Sequence, residues 1–224
     1  MELVVHENAE ETALGAARRI AVLAAGANGR FTLGLAGGST PRATYEALGD
    51  LNVAWDHVDA WLSDERWVPP DDERSNGRMA AEALMSHVPA RFLRPRWSEM
   101  MEPADSAAHY EATLRSIHED RPNLILLGMG ADGHTASLFP GSAALEETVR
   151  WFVANEIPAS GEKRLTATYP LLWSARHLMM ISTGEAKAEA VRDSFAGKTP
   201  AGRIGDGDAE VEWHLDRAAA SLVS

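Results

Sequence analysis

Residues 124–140 read LILLGMGADGHTASLFP, and the first part of this stretch limits the fold more than any other. Residues 123–127 form a run that is apolar from Leu124 onward. It is short for a core helix and has no polar position for a solvated face, so it reads as a strand buried on both sides. Such strands belong to parallel sheets with helices packed on both faces. Gly128-Met129-Gly130 ends the run, and Asp132-Gly133-His134 follows. A carboxylate and an imidazole are therefore set two residues apart at the C-terminal end of a strand. Open α/β sheets bind ligands at that edge, and histidine is the side chain best suited to proton transfer near neutral pH.

The pattern recurs along the 224 residues. Strands are expected over 2–6, 31–36, 58–62, 151–155 and 177–182, with a short one around 211–214. Helical spacing covers 9–25 and 104–118, and further helices are expected over 41–48, 76–85, 185–195 and from Asp216 onward. Residues 200–208, rich in Gly and Asp, read as a surface loop. Alternating strands and helices imply βαβ units and a mostly parallel sheet. There is no internal repeat and no Ser/Gly linker, so the reading is a single domain over 1–224.

No apolar run reaches the ~18 residues of a membrane span. The N-terminus lacks the basic start of a signal peptide. The absence of cysteine removes disulfides and thiolate metal sites, and the expected location is cytoplasmic. The net charge of −12 argues against nucleic acid or an anionic membrane as partner. A small anionic substrate stays open, but its site has to gather its own cations and backbone N–H groups. The eight histidines show no HxH or HExxH spacing, so no metal and no cofactor are expected. No Gly-x-Ser-x-Gly elbow is present, which argues against a serine hydrolase. Oligomeric state stays open between a monomer and a homo-oligomer.

Three further segments can carry chemistry. Gly37-Gly38-Ser39-Thr40-Pro41 lies between a strand and a helix. It is either a plain tight turn or an anion site built from N–H groups and two hydroxyls. Ser63-Asp64-Glu65-Arg66 also follows a strand. Arg66 can fork onto a phosphate or carboxylate there, with Asp64 orienting it or binding a sugar hydroxyl; the alternative is a solvated turn. Arg164 and Lys187 matter only if they converge with these turns.

Taken in order, LAGGSTPRATYEAL, WLSDERWVPPDDERSN, LILLGMGADGHTASLFPGS and KRLTATYPLLWSARHLMMISTGEAKAEAV resemble the four signatures of the 6-phosphogluconolactonase family. The likeness runs along nearly the whole chain. The related glucosamine-6-phosphate deaminase branch shares the phosphate loop and the Asp-Gly-His turn. Its pattern after the histidine resembles His-Ile-Ala-Phe-Asn-Glu-Pro, with the Glu serving sugar ring opening. Here the Asn and Glu positions hold Leu138 and Phe139, and Asp64-Glu65-Arg66 replaces the Asp-Glu-Tyr typical of deaminases. An apolar ring cannot relay a proton, so both departures favour the lactonase.

The resemblance implies a three-layer α/β/α sandwich and the hydrolysis of 6-phospho-D-glucono-1,5-lactone in the oxidative pentose phosphate pathway. It implies that Gly37, Gly38, Ser39 and Thr40 bind the phosphate with Arg66, Lys187 and Arg164. His134 would act as general base without a metal. Asp132 would orient its ring or bind substrate, with Asp132 or Asp64 next in line as base. Two alternatives are a sugar-phosphate isomerase or deaminase, and a non-catalytic sugar-phosphate sensor. The sensor reading lacks a DNA-binding segment and a basic surface.

Overall fold

The computed structural model describes residues 1–118 and 121–223. Its strands are β1 (Glu2–His6), β2 (Phe31–Leu35), β3 (Val58–Leu62), β4 (Asp64–Arg66), β5 (Arg91–Leu93), β6 (Leu124–Gly128), β7 (Phe152–Glu156), β8 (Lys163–Ala167), β9 (His177–Ser182) and β10 (Glu210–Asp216). Its α-helices are α1 (Ala9–Ala25), α2 (Ser39–Gly49), α3 (Asn76–Ala80), α4 (Pro103–Ile117), α5 (Tyr169–Ser174) and α6 (Ala188–Phe195). No described helix is long and apolar enough to cross a membrane.

Seven strands pair in the order β1-β10-β9-β6-β2-β3-β5, every pair parallel. The apolar strands divide their side chains between two cores, as a period of two requires. In β6, Leu124 and Leu126 join the core shared with α1 and α2, while Ile125 and Leu127 join the one shared with α4, α5 and α6. In β9, Met179 and Ile181 take the first side, Leu178 and Met180 the second. Each such side chain contributes about 1.5–3 kcal/mol of burial. The expected three-layer architecture follows from this two-sided demand.

β4, β8 and β7 form a separate antiparallel sheet of three strands. The strand expected over 151–155 belongs to it and not to the parallel sheet. Ser63 is the junction. Its N–H donates to the Leu35 carbonyl at 2.8 Å, and its own carbonyl accepts from Ala167 N–H at 2.7 Å. The chain thus leaves the large sheet at the end of β3 and enters the small one within two residues.

Several expected boundaries differ. The 200–208 segment is not a plain surface loop: Pro200–Asp206 forms a 3₁₀ turn with Pro200, Ala201, Gly202 and Ile204 buried, because apolar positions within the Gly-rich run face the second core. No helix follows Asp216; turns cover 217–223. The Asp216 carboxylate accepts from Ala219 N–H at 2.8 Å and Gly184 N–H at 3.0 Å, holding a turn against β9. The 76–85 helix continues α3 as a wider π turn over Ala81–Met85. The 185–195 helix begins with a 3₁₀ turn over Glu185–Lys187. α2 starts at Ser39, two residues before Pro41.

His118, at the C-terminal end of α4, is buried among Trp61 and Trp151, with ring centroids 5.6 and 5.9 Å away. Neither ring nitrogen has a hydrogen-bond partner among the described residues. Burial pushes its pKa down to about 4. The folded state resists protonating this ring while the unfolded state accepts the proton near pH 6.5. The stability this neutral ring permits is therefore complete above about 6.5 and is lost as the pH falls toward 4, by at most about 3 kcal/mol. Denaturant titrations of His118→Phe should show a shallower loss of stability over that window than the unsubstituted protein. An identical slope in both would place the acid sensitivity elsewhere.

Candidate active site

β2 and β6 are neighbours, yet the chain leaves β2 toward β3 and β5 and leaves β6 toward β9 and β10. This is the topological switch point of the sheet, where loops diverge and open a crevice. A cleft of about 320 Å³ lies there, walled by Gly37, Gly38, Asp64, Arg66, Asn76, His134, Phe139, Arg164 and Lys187 among others.

The turn after β6 fixes the His–Asp pair. Gly130 N–H donates to the His134 carbonyl at 2.9 Å, and Gly133 N–H donates to the Gly130 carbonyl at 3.1 Å. His134 Nδ1 lies 2.6 Å from Asp132 Oδ1, and the His134 backbone N–H reaches the same oxygen at 3.2 Å. An ionised carboxylate only accepts, so the Nδ1 proton points at Asp132 and Nε2 is the ring's free acceptor. Burial alone would raise the Asp132 pKa. The charge and hydrogen bonds of His134 outweigh it and hold the carboxyl below the usual range. Phe139 packs its ring 4.2 Å from the imidazole centroid. A Cβ at position 130 would sit 2.1 Å from His134 Nδ1 and 2.5 Å from Asp132 Oδ1, so only glycine leaves room for the pair.

The turn after β2 opens a second, smaller recess of about 130 Å³ beside the cleft. Gly38 has φ +111° and precedes α2 without a side-chain cap, so the first N–H groups of that helix are open to a ligand. The buried Tyr45 hydroxyl braces the loop, accepting from Ala36 N–H and donating to the Ala36 carbonyl, both at 2.8 Å. Ser39 and Thr40 line this recess and not the larger cleft, and Thr40 Oγ1 is 2.9 Å from Thr183 Oγ1. Lys187 lines both spaces and has no carboxylate partner among the described residues.

Arg66 and Arg164 arrive on the small sheet as a directly opposed pair in the β4–β8 register. Like charges at such positions repel. Burial, then the Arg66 charge, pulls Arg164 below the usual guanidinium range. Glu162 at 2.8 Å and the Arg74 carbonyl satisfy part of the pair, and an anion between the two guanidiniums would relieve the rest. Asp64 is buried. Its carboxylate accepts from Ser137 Oγ at 2.8 Å and Asn76 Nδ2 at 3.1 Å, so it is locked in a polar network on the cleft wall.

The expected site residues thus line the cleft or the recess beside it, except Asp132, which lines neither and meets the cleft through His134. Sequence reading missed Asn76, Ser137 and Ser182. Asn76 fills the space against Gly37, where a Cβ would lie 2.0 Å from its Oδ1. Ser182, at the end of β9, lines the recess with a buried hydroxyl that has no partner among the described residues. Its position at the end of a strand, two residues before Gly184, was the only local signal.

Residues 7–213 match the family described as glucosamine-6-phosphate isomerases/6-phosphogluconolactonase. A 6-phosphogluconolactonase of Nostoc sp. is 36% identical over 208 residues, covering 88% of this chain and 86% of the relative. One of Rhizobium meliloti is 38% identical over 188 residues, covering 80% and 79%. The solved 6-phosphogluconolactonase of Trypanosoma brucei superposes with a TM-score of 0.89 at 26% identity, covering 100% and 98%. A monomeric glucosamine-6-phosphate deaminase gives 0.85 at 26%, covering 99% and 100%, so the backbone alone does not separate the two activities. On the extent of the sequence match, the chain belongs to the glucosamine-6-phosphate isomerase/6-phosphogluconolactonase family.

Proposed function

We propose that this chain hydrolyses 6-phospho-D-glucono-1,5-lactone to 6-phosphogluconate, the hydrolytic step of the oxidative pentose phosphate pathway. The observation that carries the reading is the meeting, in one cleft, of a His134–Asp132 pair with an adjoining anion recess that Lys187 joins to it. Relatives that bear the lactonase name support it, as does Phe139. Where the deaminase pattern places a proton-relaying carboxylate, this chain sets a ring against the imidazole.

The phosphate enters the recess and takes N–H groups of the Gly37–Thr40 turn, the Ser182 hydroxyl and the Lys187 ammonium. Arg66 and Arg164 complete the positive wall. Anchoring the phosphate holds C1 of the lactone near His134 and removes much of the entropic cost of the encounter. His134 Nε2 takes a proton from water as its oxygen bonds to C1. The C1–O bond to the ring oxygen then breaks, and the imidazolium returns the proton to the leaving C5 oxygen. Asp132 keeps the ring in the productive tautomer and stabilises the transient imidazolium. Asp64, already engaged by Ser137 and Asn76, positions the cleft wall.

The test generates the lactone in place with glucose 6-phosphate dehydrogenase and follows 6-phosphogluconate above the spontaneous rate. Turnover is expected with the lactone and none with glucosamine 6-phosphate; the reverse result would install the deaminase reading. His134→Ala should lower kcat about 10²–10⁴-fold with KM little changed. Gly130→Ala, whose Cβ pushes the pair apart, should cost about 10²-fold in kcat. A near-normal kcat in either would remove the pair from the chemistry. Lys187→Ala and Ser182→Val should each raise KM for the phosphorylated lactone about tenfold and leave hydrolysis of unphosphorylated gluconolactone unchanged. Equal losses on both substrates would mean that these residues serve the fold and not the phosphate.

A further inference from the structure

On the other side of Arg66 lies a larger groove, about 560 Å³, outside the catalytic machinery. Its size is that of a pocket for a small organic ligand. Two features of its lining stand out against the rest of the surface.

The first is unbalanced positive charge. Acidic residues outnumber basic ones by 33 to 21 in this chain, and most surface arginines are paired. Arg91, at the start of β5, forks onto Asp59 at 2.9 and 2.6 Å. Arg94 and Arg96, just beyond the same strand, both line the groove, and neither has a carboxylate partner among the described residues. Glu65 lines it too, but its oxygens are engaged by the N–H groups of Arg66, Asn76 and Gly77 and by the Ser75 hydroxyl.

The second is an aromatic platform. Trp67 and Trp97 are half-buried, with centroids 6.3 Å apart and planes inclined at 51°. Phe92 lies below Arg94, whose guanidinium carbon is 5.6 Å from the ring centroid. Half-buried tryptophans beside guanidiniums attract a planar heteroaromatic ring, and unpaired arginines attract phosphate. Apolar ligands would leave the arginines unanswered, and a simple anion would leave the tryptophans bare.

We propose that this groove binds a nucleoside phosphate, with the base stacked on Trp97 and met at an angle by Trp67, and the phosphate held by Arg94 and Arg96. A single mononucleotide matches the volume. Long nucleic acid is excluded by the chain's net charge of −12. The site is separate from the lactone cleft but adjoins it, since Arg66 lines both spaces.

Calorimetric titration with AMP tests this, using the intact protein saturated with 6-phosphogluconate to fill the cleft. Binding should persist under those conditions. Adenosine and ribose 5-phosphate, which each retain half of the ligand, should bind about tenfold more weakly or less. Trp97→Ala and the double variant Arg94→Ala/Arg96→Ala should each weaken AMP about tenfold, while Trp97→Phe retains it. Unaltered thermal unfolding and lactone hydrolysis in these variants would show that they fold. The proposal does not rest on the lactonase reading: if 6-phosphogluconate gives no heat of its own, the AMP titrations and variants still decide it. Absence of binding up to about 5 mM AMP overturns the proposal. So does displacement of AMP by 6-phosphogluconate, ribose 5-phosphate binding as tightly as AMP, or full affinity in both the tryptophan and the arginine variants.

Discussion

The pairing of β2 with β6, made through Leu33 against Leu124 and Gly34 against Ile125, is the contact on which the remaining architecture depends. It joins two strands whose chains then run to opposite edges of the sheet. Their C-terminal turns are forced apart, and each turn is rich in glycine because backbone and side chains meet closely there. At position 34 a Cβ would stand 2.8 Å from the Trp61 ring and 2.9 Å from the Ile125 side chain, so these two side chains pack over the strand in space that only glycine leaves free. The crevice follows from strand order, and the residues that fill it follow from the two turns.

The same geometry answers the electrostatic difficulty of an acidic protein handling an anion. Burying a lone charge is costly, and a distributed positive surface would be neutralised by the surplus carboxylates. The chain instead concentrates its cations where few acids reach. Helix α2 offers uncapped N–H groups, Lys187 stands at the start of the element after β9, and two opposed arginines ride on the small sheet. The repulsion within that arginine pair is held in place by cross-strand pairing. It leaves positive charge gathered on the cleft wall before any ligand arrives. Asp64 on the cleft wall and Asp132 beside His134 do not cancel it, because each is bound to protein donors: Ser137 and Asn76 for one, His134 for the other.

Much of this was legible in the sequence, and for identifiable reasons. The parallel sheet could be read because a strand buried on both faces has no polar positions, as in residues 124–127. The His134 turn could be read because glycines punctuate it. The small antiparallel sheet was only partly legible: its β7 could be read as a strand, but its β4 is three residues long, too short for periodicity to register, as is β5 at the edge of the parallel sheet. Asn76 was invisible as a site residue because its role depends on a long-range meeting with Gly37 and Asp64, which no local pattern encodes. The 200–206 turn was misread because glycine-rich composition signals a surface loop, while its burial comes from tertiary packing against β10 and α6. Ser182 looked like a strand residue, and only the unpartnered state of its buried hydroxyl distinguishes it.

Phe139 shows how one fold can separate two chemistries. On the proposed reading, the lactonase and deaminase chemistries share a histidine held at the switch point and a phosphate anchored beside it. They differ in what must happen next to the imidazole. A carboxylate there would offer a second proton carrier beside the imidazole. A phenyl ring offers none; it packs against the imidazole at 4.2 Å and leaves Asp132 as the ring's hydrogen-bond partner. With Nδ1 committed to Asp132, Nε2 is the ring's remaining nitrogen. That arrangement suits the proposed water-activating base, and an apolar residue five positions further along the same turn helps to set it.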